Sequence, residues 1–447
     1  MRHEWRTLRR EPVFWWASLG LLLTAAYALG GGLAWRAERA EETALTRAES
    51  AALLAERRQE AQQGGGRVGG ARTFVALPPG PLAAFSSGLA DLAPERAEIS
   101  IFERPDTLFG SYQIESPLSL KAGRFDLDFV VLFLLPLFFA SLSYGLIARE
   151  REGGTLPMLL MQPVTLSQIL GAKLLVRLGL LTLFLALVGA AGWTLSQAPL
   201  ARLAGWLAVA WLYGAFWLAA AAWIAAFVRR SEACAASLAT LWIVLVLVIP
   251  GLLSAGVDLA SPLPSRLELV GQMRAASSEA SKQSAEILAR YYHEHPELAT
   301  EGQQSGFVPA YFASQREVER RLAPLIHDFE DRMGRQQSLI GRWSVLSPAV
   351  SAQGALLEFA GSGPRRQRLF AAAARDFLAA WHADLEPAIF LGQALGPEDF
   401  DSLPSFSFPE PEAHGPTLAL AAVGLLAPSS LALLFAFRRL RRPPHLS

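Results

Sequence analysis

The chain has 447 residues, of which 52% are hydrophobic and 18% are charged, and its formal net charge is zero. Ordinary soluble domains are about a quarter charged, and here the apolar residues come in long blocks, so we expect a polytopic membrane protein with sizeable soluble segments. A zero net charge favours no nucleic-acid partner, and the single cysteine, Cys234, excludes an intrachain disulfide.

Six apolar runs are each long enough to cross a bilayer, which takes about 20 residues in a helix. They occupy residues 13–35, 127–147, 174–195, 203–228, 236–257 and 417–437. The first run is too long for the apolar part of a signal peptide, and no clear cleavage site follows it, so we expect it to be retained. We expect Pro250 to kink the fifth run.

The basic residues indicate how these runs are oriented. Four places hold compact clusters of Arg or Lys: residues 1–12, residues 148–173, the turn at Arg229 and residues 438–447. The short loop 197–202 holds one Arg. By the positive-inside rule the four clusters face the cytoplasm, and the long segments 36–126 and 258–415, which are exempt from the rule, lie outside the cell membrane. We therefore predict an all-α polytopic membrane protein with six transmembrane helices and a mostly helical extracytoplasmic domain.

Ionisable residues are scarce within the predicted spans. Arg177 lies near the inner end of the third, where its side chain can reach the interface. Acids and histidines inside a membrane mark proton relays and ion pathways, so their scarcity argues against a proton-coupled carrier or an ion channel. His293, Glu294 and His295 do not have metal-ligand spacing, and we expect no metal site.

The loop 148–173 differs from an ordinary solvated loop. Its mixed-charge residues 149–152 are followed by Gly153 and Gly154, which end the preceding helix. Thr155 then stands where the cap of a new helix is expected.

Three leucines give this new helix an apolar face. Leu156, Leu159 and Leu160 recur at i, i+3 and i+4. Pro163 ends the helix, and Thr165 is placed to cap the next one. A short amphipathic helix framed by charge at a membrane surface can dock a soluble partner or rest on lipid.

The pattern E-R-E-x-G-T-L-x-x-L-L-x-x-P-V-T/S-x-x-x-I/L-L-x-x-K over residues 150–173 resembles the first cytoplasmic loop of ABC-2 type transporter permeases. In that family the loop couples the permease to a separate ATP-binding subunit. The resemblance implies that the coupling residues are Glu150, Arg151, Glu152, Gly154, Thr155, Leu156, Leu159, Leu160, Pro163, Thr165 and Lys173. It also implies that the glutamates pair with basic residues of that subunit.

The second outer segment is similar to a bacterial ABC-2 subfamily that has a large extracytoplasmic domain before its last span. Leu346-Ser347-Pro348-Ala349 and Gly361 carry this similarity, together with a helix that contains Phe370. The resemblance implies a multi-pass protein of the bacterial inner membrane that works with a second permease subunit and with membrane lipid.

The chain itself has no nucleotide-binding signature. No G-x-x-x-x-G-K-S/T occurs, so we expect no cofactor in this chain, and ATP belongs to the partner subunit. We expect a non-enzymatic permease that exports an unidentified substrate. One alternative is an ATP-driven scaffold that transmits force to an envelope partner without transport, and a second is a membrane-anchored enzyme with its site in the outer domain.

Overall fold

The computed structural model describes residues 2–88, 95–105, 107–109, 125–262, 266–296 and 307–441, and the predictions for the remaining parts of the outer segments and of the C-terminal tail lie outside these residues. Six helices in this part of the chain are long and apolar enough to cross a membrane. They are span 1 (Pro12–Gln62), span 2 (Leu127–Glu152), span 3 (Leu166–Ser196), span 4 (Leu200–Phe227), span 5 (Ser231–Ala260) and span 6 (Gly415–Arg441). The predicted fold class is confirmed.

The other elements flank these spans. A short N-terminal helix, Arg2–Arg10, precedes span 1, and β1 (Arg72–Ala76) pairs with β2 (Arg96–Ser100) in an antiparallel two-stranded sheet. The remaining helices outside the spans, within the described residues, are Leu156–Leu160, Arg266–Lys282, Ser284–Glu294, Phe307–Trp343, Pro348–Ala360, Pro364–Leu391 and Pro397–Ser402, with short 3-10 turns at Val68–Gly70 and Ser344–Leu346.

Spans 2 and 5 each contain a π-helical segment immediately before a proline. The segments are Val130–Leu134, ahead of Pro136, and Ile243–Val248, ahead of Pro250. Proline has no N–H and its ring crowds the carbonyl of the preceding turn, so the regular hydrogen-bond ladder cannot continue through it. The kink at Pro250 stays a prediction, and the π-helical segment before this proline is an irregularity at which helices commonly kink.

An apolar wedge closes the outer end of the bundle. Leu82, Ala84 and Phe85 enter the same core as the spans, and Phe85 is fully buried with its ring centroid 5.1 Å from that of Trp206 in span 4. Gly192 of span 3 makes room for this ring, since a Cβ built there would lie 2.0 Å from Phe85 Cζ. Gly192 therefore serves packing within one subunit.

Two buried acids begin span 2 beside this wedge. Asp126 Oδ2 accepts hydrogen bonds from the Ser87 amide and hydroxyl at 2.9 and 3.0 Å, and Oδ1 accepts one from the Phe129 amide at 2.9 Å. Asp128 is also buried, and within the described residues neither of its carboxylate oxygens has a hydrogen-bond partner. A buried acid such as Asp128 in the first turn of a span was not predicted from the sequence.

One helix of the second outer segment packs with the spans. Pro348–Ala360 begins at Ser347, whose hydroxyl accepts a hydrogen bond from the Val350 amide at 3.3 Å and donates one to the Leu245 carbonyl of span 5 at 2.7 Å. It ends at Gly361, which has a φ of 69°. Its small buried residues let it lie close to spans 4 and 6.

The rest of the outer region has an apolar core of its own. Trp381, Phe370 and Phe390 of the helix Pro364–Leu391 are fully buried in it, together with Phe312 and residues of both strands. The described residues thus form two large cores, one among the spans and one in the outer region, and the loop 148–173 lies at the far end of the spans.

We expect Gly192→Ala to destabilise the protein by about 1–3 kcal/mol, because its methyl group meets a buried ring that has no free space to move into. Gly179→Ala in the same span is the matched control, since no atom lies within 4 Å of a Cβ built there. Thermal unfolding of the purified variants measures the difference. Equal unfolding temperatures for the two variants would contradict the wedge.

Candidate functional site

The loop 148–173 folds as two short helices before span 3 begins. Ala148–Glu152 continues span 2, and a turn at Gly154, with a φ of 66°, separates it from the loop helix, Leu156–Leu160. A positive φ is easily adopted only by glycine. Thr165 then starts span 3 with a capping box, in which the Gln168 amide donates to the Thr165 hydroxyl at 3.3 Å and the Thr165 amide donates to Gln168 Oε1 at 2.9 Å.

Thr155 occupies the cap position of the loop helix without capping it through its side chain. Its hydroxyl donates instead to the carboxylate of Glu150, and its amide donates to the Glu150 carbonyl at 3.1 Å. Thr155 therefore joins the start of the loop helix to the preceding helix through Glu150.

A buried cluster of charges anchors this loop to the N-terminal helix. Lys173 Nζ lies 3.1 Å from Glu150 Oε1 and 3.7 Å from Glu4 Oε2, and Arg177 Nη1 lies 2.9 Å from Glu4 Oε1. The side chains of Lys173 and Arg177 are 11% and 5% exposed. Two cations and two acids thus neutralise one another where an unpaired charge would be very costly. We call Glu4, Glu150, Lys173 and Arg177 the charge cluster.

Arg177 also closes the end of a helix in span 2. Its Nε and Nη2 donate to the Leu142 carbonyl at 3.0 and 2.7 Å, and Nη1 donates to the Lys173 carbonyl at 3.0 Å. Carbonyls at helix ends lack partners within the helix. The expectation that Arg177 extends to the membrane interface was wrong, because these carbonyls and Glu4 bind it inside the protein.

Two further contacts hold the helix Ala148–Glu152. Glu152 accepts hydrogen bonds from the amide and hydroxyl of Ser231, at 2.7 and 2.6 Å, at the start of span 5. Arg149 pairs with Glu11, just after the N-terminal helix, and bonds the Tyr144 hydroxyl. The glutamates that the resemblance assigns to a partner subunit are thus both engaged within the chain.

Two methionines of the loop are highly exposed. Met158 and Met161 are 69% and 88% exposed, whereas Leu156 and Leu159 are half-buried. Leu160 ends the loop helix, and its side chain lies outside the described part of the structure. Met158 and Met161 thus form an exposed apolar surface, and flexible methionine side chains can adapt to other surfaces.

The remaining predicted coupling residues frame this face. Arg151 is half-buried, and Gly154, Pro163 and Thr165 are exposed. The structure therefore brings Glu150, Thr155 and Lys173 together in or beside the charge cluster. The other predicted residues lie around the loop helix.

Sequence reasoning missed Glu4, Met158 and Met161. Glu4 is an acid within a basic terminus, which is a usable signal, but its partners lie about 170 residues away along the chain. The leucine spacing predicted an apolar helix face that does not include the methionines. In the structure Leu156 and Leu159 of that face are half-buried, and the methionines are exposed.

Two family models match the chain. Residues 112–251 match the model described as ABC-2 family transporter protein, and residues 266–409 match the one described as Domain of unknown function (DUF3526). No curated protein matches it. The first match contains the whole loop 148–173, and the second begins after span 5 and covers most of the second outer segment.

We expect Arg177→Gln to destabilise the protein by about 3–5 kcal/mol, because it leaves Glu4 buried without its strongest partner. Arg332→Gln is the control: Arg332 pairs with Asp328 at 2.8 Å on an exposed helix face, where such a pair contributes about 0–1 kcal/mol. Chemical unfolding of the purified proteins measures both changes. Equal losses in the two variants would show that the charge cluster does not hold the loop.

Proposed function

We propose that the chain is the transmembrane subunit of an ATP-driven transporter of the ABC-2 type with an additional domain, since residues 112–251 match the ABC-2 family model and residues 266–409 match a second family model. A permease of this family normally works with an ATP-binding subunit. ATP hydrolysis is assigned to that separate subunit, which docks on residues 149–165.

The exposed loop helix is the observation that supports this assignment. Met158 and Met161 project from a five-residue helix whose flanks are fixed by hydrogen bonds and ion pairs. Exposed apolar side chains on a rigid segment indicate an interaction site more strongly than the same side chains on a flexible loop, because less conformational entropy is lost on binding. The docking face therefore centres on these two methionines, with Pro163 at its edge.

The contacts of the loop suggest how movement reaches the membrane. A displacement of the loop helix is transmitted by the hydrogen bond from Thr155 to Glu150, and then by the ion pair of Glu150 with Lys173 in span 3. Glu152 passes the same displacement to Ser231 at the start of span 5. Spans 3 and 5 thus move with the loop. At the opposite end of the bundle, this movement must change the packing around Phe85.

The basic residues favour a cytoplasmic position for this docking face. Exposed arginines of the N-terminal helix, Arg229 and the arginines at the end of span 6 accompany the loop. Under the positive-inside rule this side faces the cytoplasm of a bacterial inner membrane, and the outer domain faces away from it. An ATP-binding subunit then reaches the loop from the side where ATP is available.

We assign export as the direction of transport, with two permease subunits and two ATP-binding subunits in the functional unit. The spans support a path for an amphipathic or lipid-like substrate, because the six apolar runs of the sequence contain few ionisable residues, and Asp128 and Arg177 each lie near the end of a run. The domain before span 6 is then placed to receive or direct the substrate on the outer side.

We expect the double variant Met158→Asp, Met161→Asp to lose at least tenfold of the ATP hydrolysis that co-purifies with the tagged chain from its native cells. Interface hot spots contribute about 2 kcal/mol or more each, and both side chains are too exposed for the change to unfold the loop. Leu45→Asp, at a site that is 62% exposed on span 1, is the control for adding a charge. Wild-type recovery of ATPase with the double variant would contradict the docking face.

A further inference from the structure

The N-terminal helix Arg2–Arg10 has two chemically opposite faces. Glu4 and Leu8, four residues apart, lie on one face, and Leu8 is 3% exposed while Glu4 joins the charge cluster. Arg6, Arg9 and Arg10 follow the i, i+3, i+4 spacing of the opposite face. One side of this helix therefore holds the loop 148–173, and the other is turned away from the protein.

The outward face is basic and unneutralised. The side chains of Arg6, Arg9 and Arg10 are exposed, and no acidic side chain in the described residues lies within ion-pair distance of them. The one ring contact there is Arg9 with Trp5, at 5.9 Å from the guanidinium carbon to the ring centroid. Three neighbouring cations without acidic partners repel one another. An anion from outside the chain that binds to this face would therefore relieve the repulsion.

Aromatic residues place the same helix at the depth of lipid headgroups. Trp15 and Trp16, at the start of span 1, are 53% and 73% exposed, and Trp15 Nε1 donates to the Arg9 carbonyl at 2.9 Å. Exposed tryptophans at the end of a span favour the interface between water and hydrocarbon. The Trp15 hydrogen bond therefore holds the end of the basic helix at this interface.

We propose that the basic face of the N-terminal helix binds the phosphate headgroups of anionic phospholipids in the leaflet on the loop side. Its guanidinium groups lie beside a lipid-facing aromatic pair, and arginine forks match phosphate oxygens. The opposite face of the same short helix carries Glu4, so bound lipid fixes the position of the charge cluster. This lipid site goes beyond the proposed function, because it requires neither ATP nor a partner subunit.

A membrane surface fits this face better than an acidic protein surface does. The three arginines directly precede span 1, and the neighbouring Trp16 is 73% exposed at the start of that span, where exposed tryptophans favour the membrane interface. Juxtamembrane basic residues near anionic lipid gain affinity that salt screens. An acidic surface of an ATP-binding subunit is the competing occupant, and the experiment below separates the two.

The test uses the full-length protein purified alone in detergent, titrated with phosphatidylglycerol or phosphatidylcholine, with bound lipids counted by native mass spectrometry. We expect the wild type to retain more phosphatidylglycerol than phosphatidylcholine. The triple variant Arg6→Gln, Arg9→Gln, Arg10→Gln should bind it about a hundredfold more weakly, from roughly fivefold per arginine. The matched control replaces three exposed arginines far from this helix: Arg47→Gln, Arg67→Gln, Arg290→Gln.

The possible outcomes are distinct. Loss of phosphatidylglycerol in the triple variant with the control unchanged, and no displacement by inorganic phosphate, supports a lipid site. Equal binding of the two lipids, or equal loss in both triple variants, overturns it. If the triple variant keeps the lipid but recovers less ATPase from native cells, the basic face serves the partner subunit and the proposal is wrong. Because lipid counting needs no ATPase, a failed docking face at Met158 and Met161 leaves this result unaffected.

Discussion

The pairing of Arg177 with Glu4 at the loop end of the bundle is the interaction on which the rest depends. Arg177 is buried and cannot give up its proton, so it must have an anion and carbonyl acceptors beside it. Glu4 supplies the anion and the end of a helix in span 2 supplies the Leu142 carbonyl. One guanidinium thereby joins the N-terminal helix, span 2 and span 3.

Lys173 extends this constraint to the loop. It lies between Glu4 and Glu150, and Glu150 in turn accepts a hydrogen bond from Thr155 at the start of the loop helix. The loop helix is only five residues long and would not be stable alone. The surrounding charges hold the loop helix in a fixed position. In the proposed function, a fixed position is needed because a displacement of the loop must be passed on to the spans. The outer end of the bundle is held differently, by Phe85 packed against Trp206 and Gly192.

The sequence was sufficient for the features that depend on neighbouring residues. The six apolar runs, the cap at Thr165 and the disturbed helix at Pro250 all follow from local composition, and the structure has each of them. The residue pattern around Glu150 also carried the resemblance to ABC-2 permeases, and residues 112–251 match the model of that family. These features need no knowledge of how distant segments meet.

The features that depend on distant contacts were not predictable. Glu4 is far in sequence from Arg177, so periodicity gave no sign that the two pair. Thr155 had the spacing of a helix cap, but Glu150 competes for its hydroxyl. The helix Pro348–Ala360 belonged by position to an outer segment, and its small side chains instead let it pack among the spans. In each case a tertiary contact replaced the local preference.

The central claim is that Met158 and Met161 face the cytoplasm, where a separate ATP-binding subunit meets them. Accessibility of a single cysteine tests it most directly, since the one native cysteine is buried and Cys234→Ala removes it. In that background we predict that Met161→Cys reacts with a membrane-impermeant maleimide in inside-out vesicles and not in intact spheroplasts. Phe307→Cys, exposed on the outer domain, should show the reverse. Labelling of Met161→Cys in intact spheroplasts would contradict the account.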